Sequence, residues 1–545
     1  MNPLRYLLPC IISVILWSCG NKEDEEVFAT FQLKEIEING ETNASSYTNV
    51  DPNLNVTLTF SEEIDQSTLQ TITFQTLSGQ PVKLTYIIQD KTIILHAETK
   101  LDIYTAYQLI IHPGLKSITG KRILTGKVYS IFTGMDNSDK FPSIEDEELL
   151  TLVQKQTFSY FWDFGHPVSG MARERSSSGD IVTTGGTGFG IMAMIVGVER
   201  QFITREAAVN RLLKITRFLK DEATRYHGAF AHWINGSTGE TQPFSEKDNG
   251  ADLVETAFLF QGLLTARQYF TGENPEEAEL RTRITELWEA VEWSWFRRGN
   301  EEVLYWHWSP DYGWDMNHKI KGWNECLITY VLAASSPTYP IDKAVYDNGW
   351  ADNGNIRNNG VYYDFQLPLG PSYGGPLFFA HYSFLGLNPK NLQDQYADYW
   401  QQNVSHAKIN HAYCSRNPSG FLGYSEVCWG LTASDGNNGY SAHSPTNDKG
   451  VIAPTAALSS MPYTPDESMA ALHFFYYKLG DKLWRQNGFI DAFNLTEKWY
   501  ANDFLAIDQG PVIVMIENHR TGKIWNLFMS IPEITAGLTK LGFTY

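Results

Sequence analysis

The spacing of apolar and polar residues divides the chain into two parts. In residues 28–136, short runs alternate apolar and polar positions, and turn residues separate one run from the next. Clear examples lie at residues 55–60, 83–88, 92–96 and 107–111. Because a period of two places every second side chain on one face of a strand, this pattern predicts an all-β sandwich.

A polar segment at residues 137–144 is predicted to be a linker, and the period changes after it. Between residues 145 and 545, apolar residues recur at helical spacing, and long loops rich in glycine and aromatic residues separate the helical segments. About a dozen helices without a fixed sequence repeat predict an all-α (α/α)6 toroid, with a helical solenoid as the alternative. The predicted helices include those near residues 187–202, 205–225, 250–271, 276–296, 323–335, 376–385, 391–402 and 465–480.

The N-terminus predicts export and lipid attachment. Arg5 precedes an apolar stretch of about a dozen residues, which is too short to span a bilayer and is typical of a signal peptide. The stretch ends in Leu-Trp-Ser-Cys at residues 16–19, which resembles a bacterial lipobox. Residues 1–18 are therefore predicted to be removed, Cys19 to carry lipid, and the polar residues 19–27 to form a linker. We expect a lipid-anchored outer-membrane protein that meets the membrane only through Cys19.

Charge and cysteine content narrow the possible partners. The 42 basic and 62 acidic residues give a formal net charge of −20, which repels phosphate backbones and makes nucleic acid an unsuitable partner. Cys326, Cys414 and Cys428 form no C-x-x-C motif, so no zinc site is indicated, and pairing of Cys414 with Cys428 is left open. The chain also lacks an H-E-x-x-H motif, and we expect no metal, no cofactor and a monomer.

Three acidic residues stand at the start of one apolar helix. Asp248, Asp252 and Glu255 precede or open the apolar run at residues 256–264. With Asn249 as the predicted N-cap, Asp252 and Glu255 lie three residues apart on one helix face. Mutual repulsion and burial then raise the pKa of at least one of these carboxyl groups, so that an acid and a base coexist at neutral pH. The alternative is an ordinary capping turn with first-turn acids.

A fourth acidic residue, Glu325, follows an aromatic loop. Residues 306–314 hold three Trp and one Tyr together with Pro and Gly, so these rings cannot all face one helix core and some are expected to line a cleft. The loop continues to Asn324, a predicted N-cap, and to Glu325, the predicted first helical residue. The alternative for Glu325 is again a first-turn acid stabilised by the helix dipole. The Gly-rich residues 183–190 lack the context of a phosphate loop, and they predict a close approach of backbone to a helix or to substrate.

Several motifs in one order carry a family resemblance. The helical part of the chain resembles the glucoamylase-like domain of glycoside hydrolase family 144 over essentially all of residues 145–545. The strand part resembles a bacterial immunoglobulin-like (Ig-like) module, which implies a spacer or an accessory sugar-binding role. The motifs that carry the first resemblance lie at residues 173–177, 184–190, 232–239, 250–256 and 453–463, and those for the second at 59–65, 114–120 and 129–133.

The resemblance implies an (α/α)6 barrel that hydrolyses β-1,2-glucan with inversion and without a metal. Both endo-acting enzymes and exo-acting enzymes that release sophorose occur in the family, and both modes stay open here. The family's functional acids correspond to Asp248, Asp252, Glu255 and Glu325. The alternative from a different class is a surface glycan-binding lipoprotein with a catalytically inactive barrel.

An inverting mechanism needs a carboxylic acid that protonates the glycosidic oxygen and a carboxylate that activates water, about 6.5–9.5 Å apart. Glu325 is the predicted acid, because nearby Trp rings would raise its pKa. One of Asp248, Asp252 and Glu255 is the predicted base. Candidate sugar platforms are Trp233, Trp306, Trp308, Trp314, Tyr373 and Trp429, and candidate donors to sugar hydroxyls are Arg173, His232 and His381; core packing is an equal alternative for each.

We predict that the Cys19→Ala variant incorporates no labelled fatty acid during growth, because the modified thiol is absent. Metabolic labelling followed by immunoprecipitation measures this outcome. Equal labelling of the variant and the parent would contradict the lipobox assignment.

Overall fold

The computed structural model describes residues 31–545. Its internal contacts divide the chain into two compact units, one ending at Asp136 and one spanning Asn137–Tyr545. The predicted signal peptide and Cys19 lie outside the described residues. Within residues 31–545, no helix combines the length and the apolar character needed to cross a bilayer.

The first unit is a β-sandwich, as the alternating pattern predicts. One sheet has the strand order β2-β1-β4-β7-β6 and the other β3-β9-β8-β5. All neighbouring strands are antiparallel except β3 and β9, which are parallel. Its strands are β1 (Leu33–Ile38), β2 (Glu41–Thr42), β3 (Ser46–Val50), β4 (Asn55–Phe60), β5 (Ile72–Thr76), β6 (Leu84–Gln89), β7 (Thr92–Ala97), β8 (Ala106–Ile111) and β9 (Lys127–Thr133).

Side chains from both sheets form the core of the sandwich. Ile36, Leu58 and Leu95 come from the first sheet, Leu109 and Ile131 from the second, and all five are buried. In the strands β4, β7 and β8, buried residues alternate with partly or fully exposed ones, which is the pattern of a sheet with one face packed in the core and one face toward water.

The second unit is predominantly helical. Its helices are α1 (Asp146–Trp162), α2 (Thr184–Glu199), α3 (Arg205–Asp221), α4 (Leu253–Tyr269), α5 (Pro275–Glu289), α6 (Leu327–Ser335), α7 (Lys343–Asn348), α8 (Tyr399–Arg416), α9 (Pro454–Ser459), α10 (Pro465–His473), α11 (Gly480–Leu483), α12 (Ala506–Arg520), α13 (Lys523–Met529) and α14 (Pro532–Leu541).

These helices form two rings, as expected for an (α/α)6 barrel. Helices α2, α4, α6, α9 and α12 are buried nearly throughout and form the inner ring. Within this ring α2 contacts α4 and α12, α4 contacts α6, and α12 contacts α9. Two 3-10 turns, Leu377–Ala380 and Ser383–Leu385, form the remaining inner segment. Helices α1, α3, α5, α8, α10 and α14 expose one face and form the outer ring.

Two predicted helices differ from those observed. Residues 376–385 form the two 3-10 turns instead of an α-helix. The helix predicted near residues 391–402 is α8, which begins only at Tyr399, because Asp398 accepts a hydrogen bond from the amide of Gln401 at 2.9 Å and caps that end. Upstream of it, the Asp394 side chain accepts from two following amides and closes a turn that competes with a helix.

Short antiparallel strand pairs lie among the helices, some of them joining distant parts of the chain, so the unit is not entirely α-helical. The β13–β14 pair joins the start of α4 to the aromatic loop at residues 306–314. These strands are β10 (Ile181–Thr183), β11 (Trp233–Asn235), β12 (Thr241–Gln242), β13 (Ala251–Asp252), β14 (His307–Trp308), β15 (Arg357–Tyr362), β16 (Phe365–Leu369), β17 (Ala433–Ser434), β18 (Ser441–Ala442), β19 (Trp484–Arg485), β20 (Gly488–Phe489), β21 (Phe493–Asn494) and β22 (Trp499–Tyr500).

The Gly-rich residues 183–190 confirm the predicted approach of backbone to a helix. They open α2, which crosses α4 at very short range. A Cβ atom on Gly188 would lie 2.1 Å from the carbonyl oxygen of Phe258, and one on Gly262 would lie 2.1 Å from the carbonyl oxygen of Gly188. Glycine is therefore required on both helices where they cross.

We predict that deleting residues 20–136 leaves a protein that unfolds in one cooperative transition, because Asn137–Tyr545 contains its own buried core. Calorimetry of the truncated protein beside the full chain measures this. A broad transition without a cooperative heat-absorption peak would show that the second unit does not fold on its own.

Candidate active site

Asp252 positions the start of α4. It is the N-cap of this helix, and its Oδ1 accepts hydrogen bonds from the amides of Val254 and Glu255, both at 2.9 Å. Asn249 is therefore not the N-cap, contrary to the sequence prediction. The side-chain amide of Asn249 instead donates a hydrogen bond to the Asp311 carboxylate at 2.7 Å. The reason is tertiary: Ala251 and Asp252 pair with β14, so the helix starts only after that pairing ends.

Glu255 is buried in the first turn of α4 and faces the start of α2. Its Oε2 accepts a hydrogen bond from the amide of Gly185 at 2.7 Å and lies 3.4 Å from the hydroxyl of Thr183. A Cβ atom at position 185 would lie 2.5 Å from that same oxygen. The glycine therefore allows a backbone donor to approach the carboxylate and hold it in place.

Two histidines connect the acidic residues. His232 Nδ1 lies 3.1 Å from Asp252 Oδ2, and His232 Nε2 lies 3.9 Å from Glu255 Oε1. His307 Nε2 lies 3.3 Å from Asp248 Oδ2 and 3.7 Å from Asp252 Oδ2. Sequence reasoning missed His307, although the aromatic loop that contains it was recognised. The pairing of β14 with β13 brings this imidazole to the acids.

Burial and these short distances shift the pKa values. Burial and the charge of Asp252 raise the pKa of Asp248 to about 7. Burial would lower the pKa of His232, but the charge of Glu255 and the hydrogen bond with Asp252 outweigh it and raise that pKa to about 9. Burial would raise the pKa of Asp252, but the hydrogen bond from His232 and the neighbouring imidazoles lower it. Burial lowers the pKa of His307 to about 4. At neutral pH, His232 is thus cationic, Asp252 anionic and His307 uncharged.

His232, Asp248 and Asp252 are close enough together to be considered as ligands of a metal ion. One possible ligand atom each from His232, Asp248 and Asp252 lies within 4.8 Å of the other two. An imidazole must lose its proton to bind a metal ion, whereas the pKa of His232 at about 9 keeps that proton in place. At neutral pH this donor set fits an ion pair better than a metal site.

Glu325 lies two residues before α6. Glu325 is therefore not the first helical residue, contrary to the prediction. Cys326 is the N-cap of the helix, and Asn324 Oδ1 accepts a hydrogen bond from the Cys326 amide at 3.0 Å. The Glu325 carbonyl accepts a hydrogen bond from the Ser383 hydroxyl. Burial, with smaller contributions from the charges of Glu255 and Asp252, raises the pKa of Glu325 to about 7. This carboxyl group therefore retains a proton near neutral pH.

A cleft of about 450 Å³ brings Glu325 and Glu255 together. Of the other predicted residues, His232, Trp233 and Trp306 also line it. The ring of Phe244 lies 4.4 Å from that of His232 and 4.8 Å from that of Trp233, and half of Phe244 is exposed. Trp233 and Phe244, whose ring planes are 55° apart, offer aromatic faces of the kind on which a sugar ring packs. Residues that sequence reasoning missed include Glu174, Arg175, Phe244, Tyr382 and Tyr440.

The structure places four predicted sugar platforms away from this cleft. Trp308 and Trp314 pack on Trp295, with ring centroids 5.5 and 4.8 Å away. Trp429 is fully buried and its Nε1 donates to the carbonyl of Glu467 at 3.3 Å. The ring of Tyr373 lies 4.6 Å from that of Tyr362, in a separate aromatic group. Packing among aromatic rings thus accounts for the positions of these four.

Two predicted hydroxyl donors also face elsewhere. The Arg173 guanidinium donates to the carbonyls of Phe164 and Gly179. His381 is buried, and its Nε2 lies 2.9 Å from the hydroxyl of Ser460. Asp248 and Asp252 lie behind the cleft surface, in contact with His232 and His307.

Cys326, Cys414 and Cys428 are buried free thiols. The disulfide between Cys414 and Cys428, which the sequence left as a possibility, is therefore not formed among residues 31–545.

Both units match known families. Residues 317–532 match the Glycoamylase family model, which describes glucoamylases. Residues 34–133 match the model of the bacterial Ig-like domain.

Similar proteins act on β-1,2-linked glucans. An exo β-1,2-glucooligosaccharide sophorohydrolase (non-reducing end) of Parabacteroides distasonis is 50% identical over 418 residues, which are 73% of this chain and 58% of that protein. This chain therefore spans less than two thirds of that relative. The endo-β-1,2-glucanase of Chitinophaga pinensis, solved with sophorotriose and glucose, is 51% identical, with a TM-score of 0.72 over 74% of this chain and 99% of its own. A β-1,2-glucanase from Parabacteroides distasonis is 40% identical, with a TM-score of 0.71 over 94% of this chain and 73% of its own.

We predict that Glu325→Gln raises the melting temperature Tm relative to the parent at about pH 8, but much less at about pH 4.5. The folded parent keeps the Glu325 proton up to about pH 7, whereas the unfolded chain releases it near pH 4.5. The parent is therefore most stable below pH 4.5 on account of this group, and it loses stability as the pH rises toward 7. Glutamine has no proton to lose, so the variant escapes this loss. Thermal unfolding at both pH values measures the difference.

Glu277→Gln is the control of opposite sign. The hydrogen bond from Arg205 lowers the pKa of Glu277 to about 2, so this group stabilises the fold above pH 4.5 and ceases to do so as the pH falls toward 2. The control should therefore lower Tm at pH 8. A Tm difference for Glu325→Gln that does not change with pH would contradict the raised pKa.

Proposed function

The chain belongs to the glucoamylase-like glycoside hydrolases of family 144, and on this basis we propose that it hydrolyses β-1,2-glucan or β-1,2-glucooligosaccharides with inversion and without a metal. One observation carries the proposal. Two carboxyl groups, Glu325 and Glu255, line a single cleft, and the pKa of Glu325 at about 7 keeps a transferable proton there. A glycan-binding protein has no need of such a proton, whereas glycoside hydrolysis requires it.

In this proposal Glu325 is the general acid. It donates its proton to the glycosidic oxygen as the bond to the anomeric carbon breaks, so that the leaving sugar departs as a neutral hydroxyl. Its burial raises the pKa, so the carboxyl group still carries its proton near neutral pH when negative charge develops on the leaving oxygen.

Glu255 is the proposed base among the three acids at the start of α4, because Asp248 and Asp252 do not line the cleft. Burial raises the pKa of Glu255, but the cationic His232, 3.9 Å from its carboxylate, acts in the opposite direction and favours the ionised form that accepts a proton from water. The amide of Gly185 holds the other carboxylate oxygen in position. Asp252, Asp248 and His307 then orient His232 from behind.

Attachment to the outer membrane through Cys19 remains part of the proposal. It is supported by the lipobox-like residues 16–19 and the apolar stretch before them. An outer-membrane anchor would place the second unit where it meets a glucan before import. The Ig-like unit would then act as a spacer between the anchor and the hydrolase.

The purified protein should release new reducing ends from β-1,2-glucan, and Glu325→Gln should lower kcat by about two to four orders of magnitude. The substrate affinity should change little, because glutamine keeps the shape and lacks only the proton. Product sizing separates exo action, which gives sophorose from the start, from endo action, which gives a range of oligosaccharides. NMR of the first anomer formed measures inversion, and activity should persist after dialysis against a chelator.

Glu276→Gln is the matched control, since Glu276 is an exposed first-turn acid of α5 and should leave the rate unchanged. More than about a tenth of parental turnover in Glu325→Gln, a barrier change below about 1.4 kcal/mol, would exclude Glu325 as the general acid. Binding of the glucan by a parent that produces no new ends would instead favour the inactive glycan-binding barrel.

A further inference from the structure

Arg175 and its neighbour Glu174 line the same cleft as Glu255 and Glu325. The side chain of Glu174 is 15% exposed and that of Arg175 is 26% exposed, so both are largely enclosed but reach the cleft surface. A charged pair held at the wall of a sugar cleft offers hydrogen-bonding groups directed at the ligand.

Two carboxylates fix the orientation of the guanidinium. Arg175 Nε donates to the two Glu174 carboxylate oxygens at 3.1 and 3.0 Å. Nη1 donates to the two carboxylate oxygens of Asp435 at 3.1 and 3.2 Å. Among residues 31–545, Nη2 donates no hydrogen bond. The two N–H groups of Nη2 are therefore available to a bound molecule.

The backbone on both sides of the pair is also held. The amide of Ala506 donates to the carbonyl of Glu174, and the amide of Ser176 donates to the carbonyl of Phe504, both at 3.0 Å. These contacts join segments that lie more than 300 residues apart and place the pair beside the N-terminal end of α12. The site is thus preorganised before any ligand arrives.

The pair presents a donor beside an acceptor. Nη2 supplies two N–H donors, and the carboxylate of Glu174 has lone pairs beyond those that Arg175 Nε uses. Two hydroxyl groups on adjacent carbons match this arrangement, since one can accept from Nη2 while the other donates to the carboxylate. Which hydroxyl pairs are free depends on the linkage of a glucan.

In an internal residue of a β-1,2-linked glucan, oxygens 1 and 2 form the linkages, and the 3- and 4-hydroxyls are the adjacent pair that stays free. A 1,3-linkage uses oxygen 3 and leaves no two free hydroxyls on adjacent ring carbons, whereas a 1,4-linkage uses oxygen 4 and leaves the 2,3-pair. Resting on the function proposed above, we propose that Glu174 and Arg175 bind the free 3,4-diol of a glucosyl residue and thereby select 1,2-linked over 1,3-linked glucans.

A double-mutant cycle between protein and substrate tests this interaction. The substrates are a β-1,2-linked glucotriose and analogues that lack the 3-hydroxyl or the 4-hydroxyl of one ring at a time. For the parent, one such deletion should lower kcat/KM by about tenfold to a hundredfold, which is typical of a lost hydrogen bond to a charged group. For Arg175→Lys, which keeps the charge but lacks Nη2, the unmodified substrate should lose a similar factor. The deoxy substrate should then lose little more.

A structural role for the pair would not produce this loss of coupling, because a distorted site penalises every substrate alike. Glu174→Gln is the second variant and should show the same coupling with the hydroxyl that donates to it. Arg205→Lys is the matched control: Arg205 also pairs with both oxygens of a carboxylate, that of Glu277 at 2.8 Å, but outside the cleft. It should retain the full response to the deoxy substrates.

The outcomes separate this inference from the function on which it rests. A parent that does not cleave unmodified β-1,2-glucotriose contradicts the proposed function. A parent that cleaves it, with Arg175→Lys and Glu174→Gln responding to each deoxy analogue as the parent does, overturns the diol assignment alone. Failure of both variants to fold would show that the pair is a structural brace and would also overturn it.

Discussion

Burial of ionisable groups at the starts of two inner helices is the constraint on which the candidate site depends. Asp248, Asp252 and Glu255 lie close together at the start of α4, and the desolvation that raises a carboxyl pKa acts on all of them. The imidazoles of His232 and His307 lie beside these acids. His232 becomes a cation that stabilises two anions, and its Nδ1 lies 3.1 Å from Asp252. Glu325 has no such cation and keeps its proton instead. Different neighbours thus leave the Asp252 carboxyl group ionised and the Glu325 carboxyl group protonated near neutral pH.

The close crossing of α2 and α4 is the packing condition for that arrangement. Gly188 and Gly262 allow the two helix backbones to approach each other, and Gly185 in the same stretch directs its amide at Glu255. One Gly-rich segment therefore serves both the barrel core and the cleft. The stability lost by burying charged groups is offset by packing in the surrounding inner ring, where α2 and α4 are buried along most of their length.

How much was predictable depended on the distance along the chain between interacting groups. The four acids stand out locally, because each lies beside an apolar helix start or an aromatic loop. The N-cap of α4 was misplaced, since the pairing of β13 with β14 overrides the local preference of Asn249. His307 was missed for the same reason. Arg175 was missed because its partner Asp435 lies 260 residues away, and the neighbouring Arg173 has an equally suitable side chain but faces the carbonyl of Phe164.

The sequence by itself determined the two periodicities, and with them a β-sandwich followed by a ring of helices, because side-chain spacing of 2 or 3.6 residues is a local property of the backbone. It also determined which carboxyl groups lie at helix starts. Only the tertiary structure decided which aromatic and charged side chains reach the cleft. Trp233 and Trp429 are both predicted sugar platforms, yet one lines the cleft and the other is fully buried. That difference arises from contacts between distant segments, and a local pattern contains no information about them.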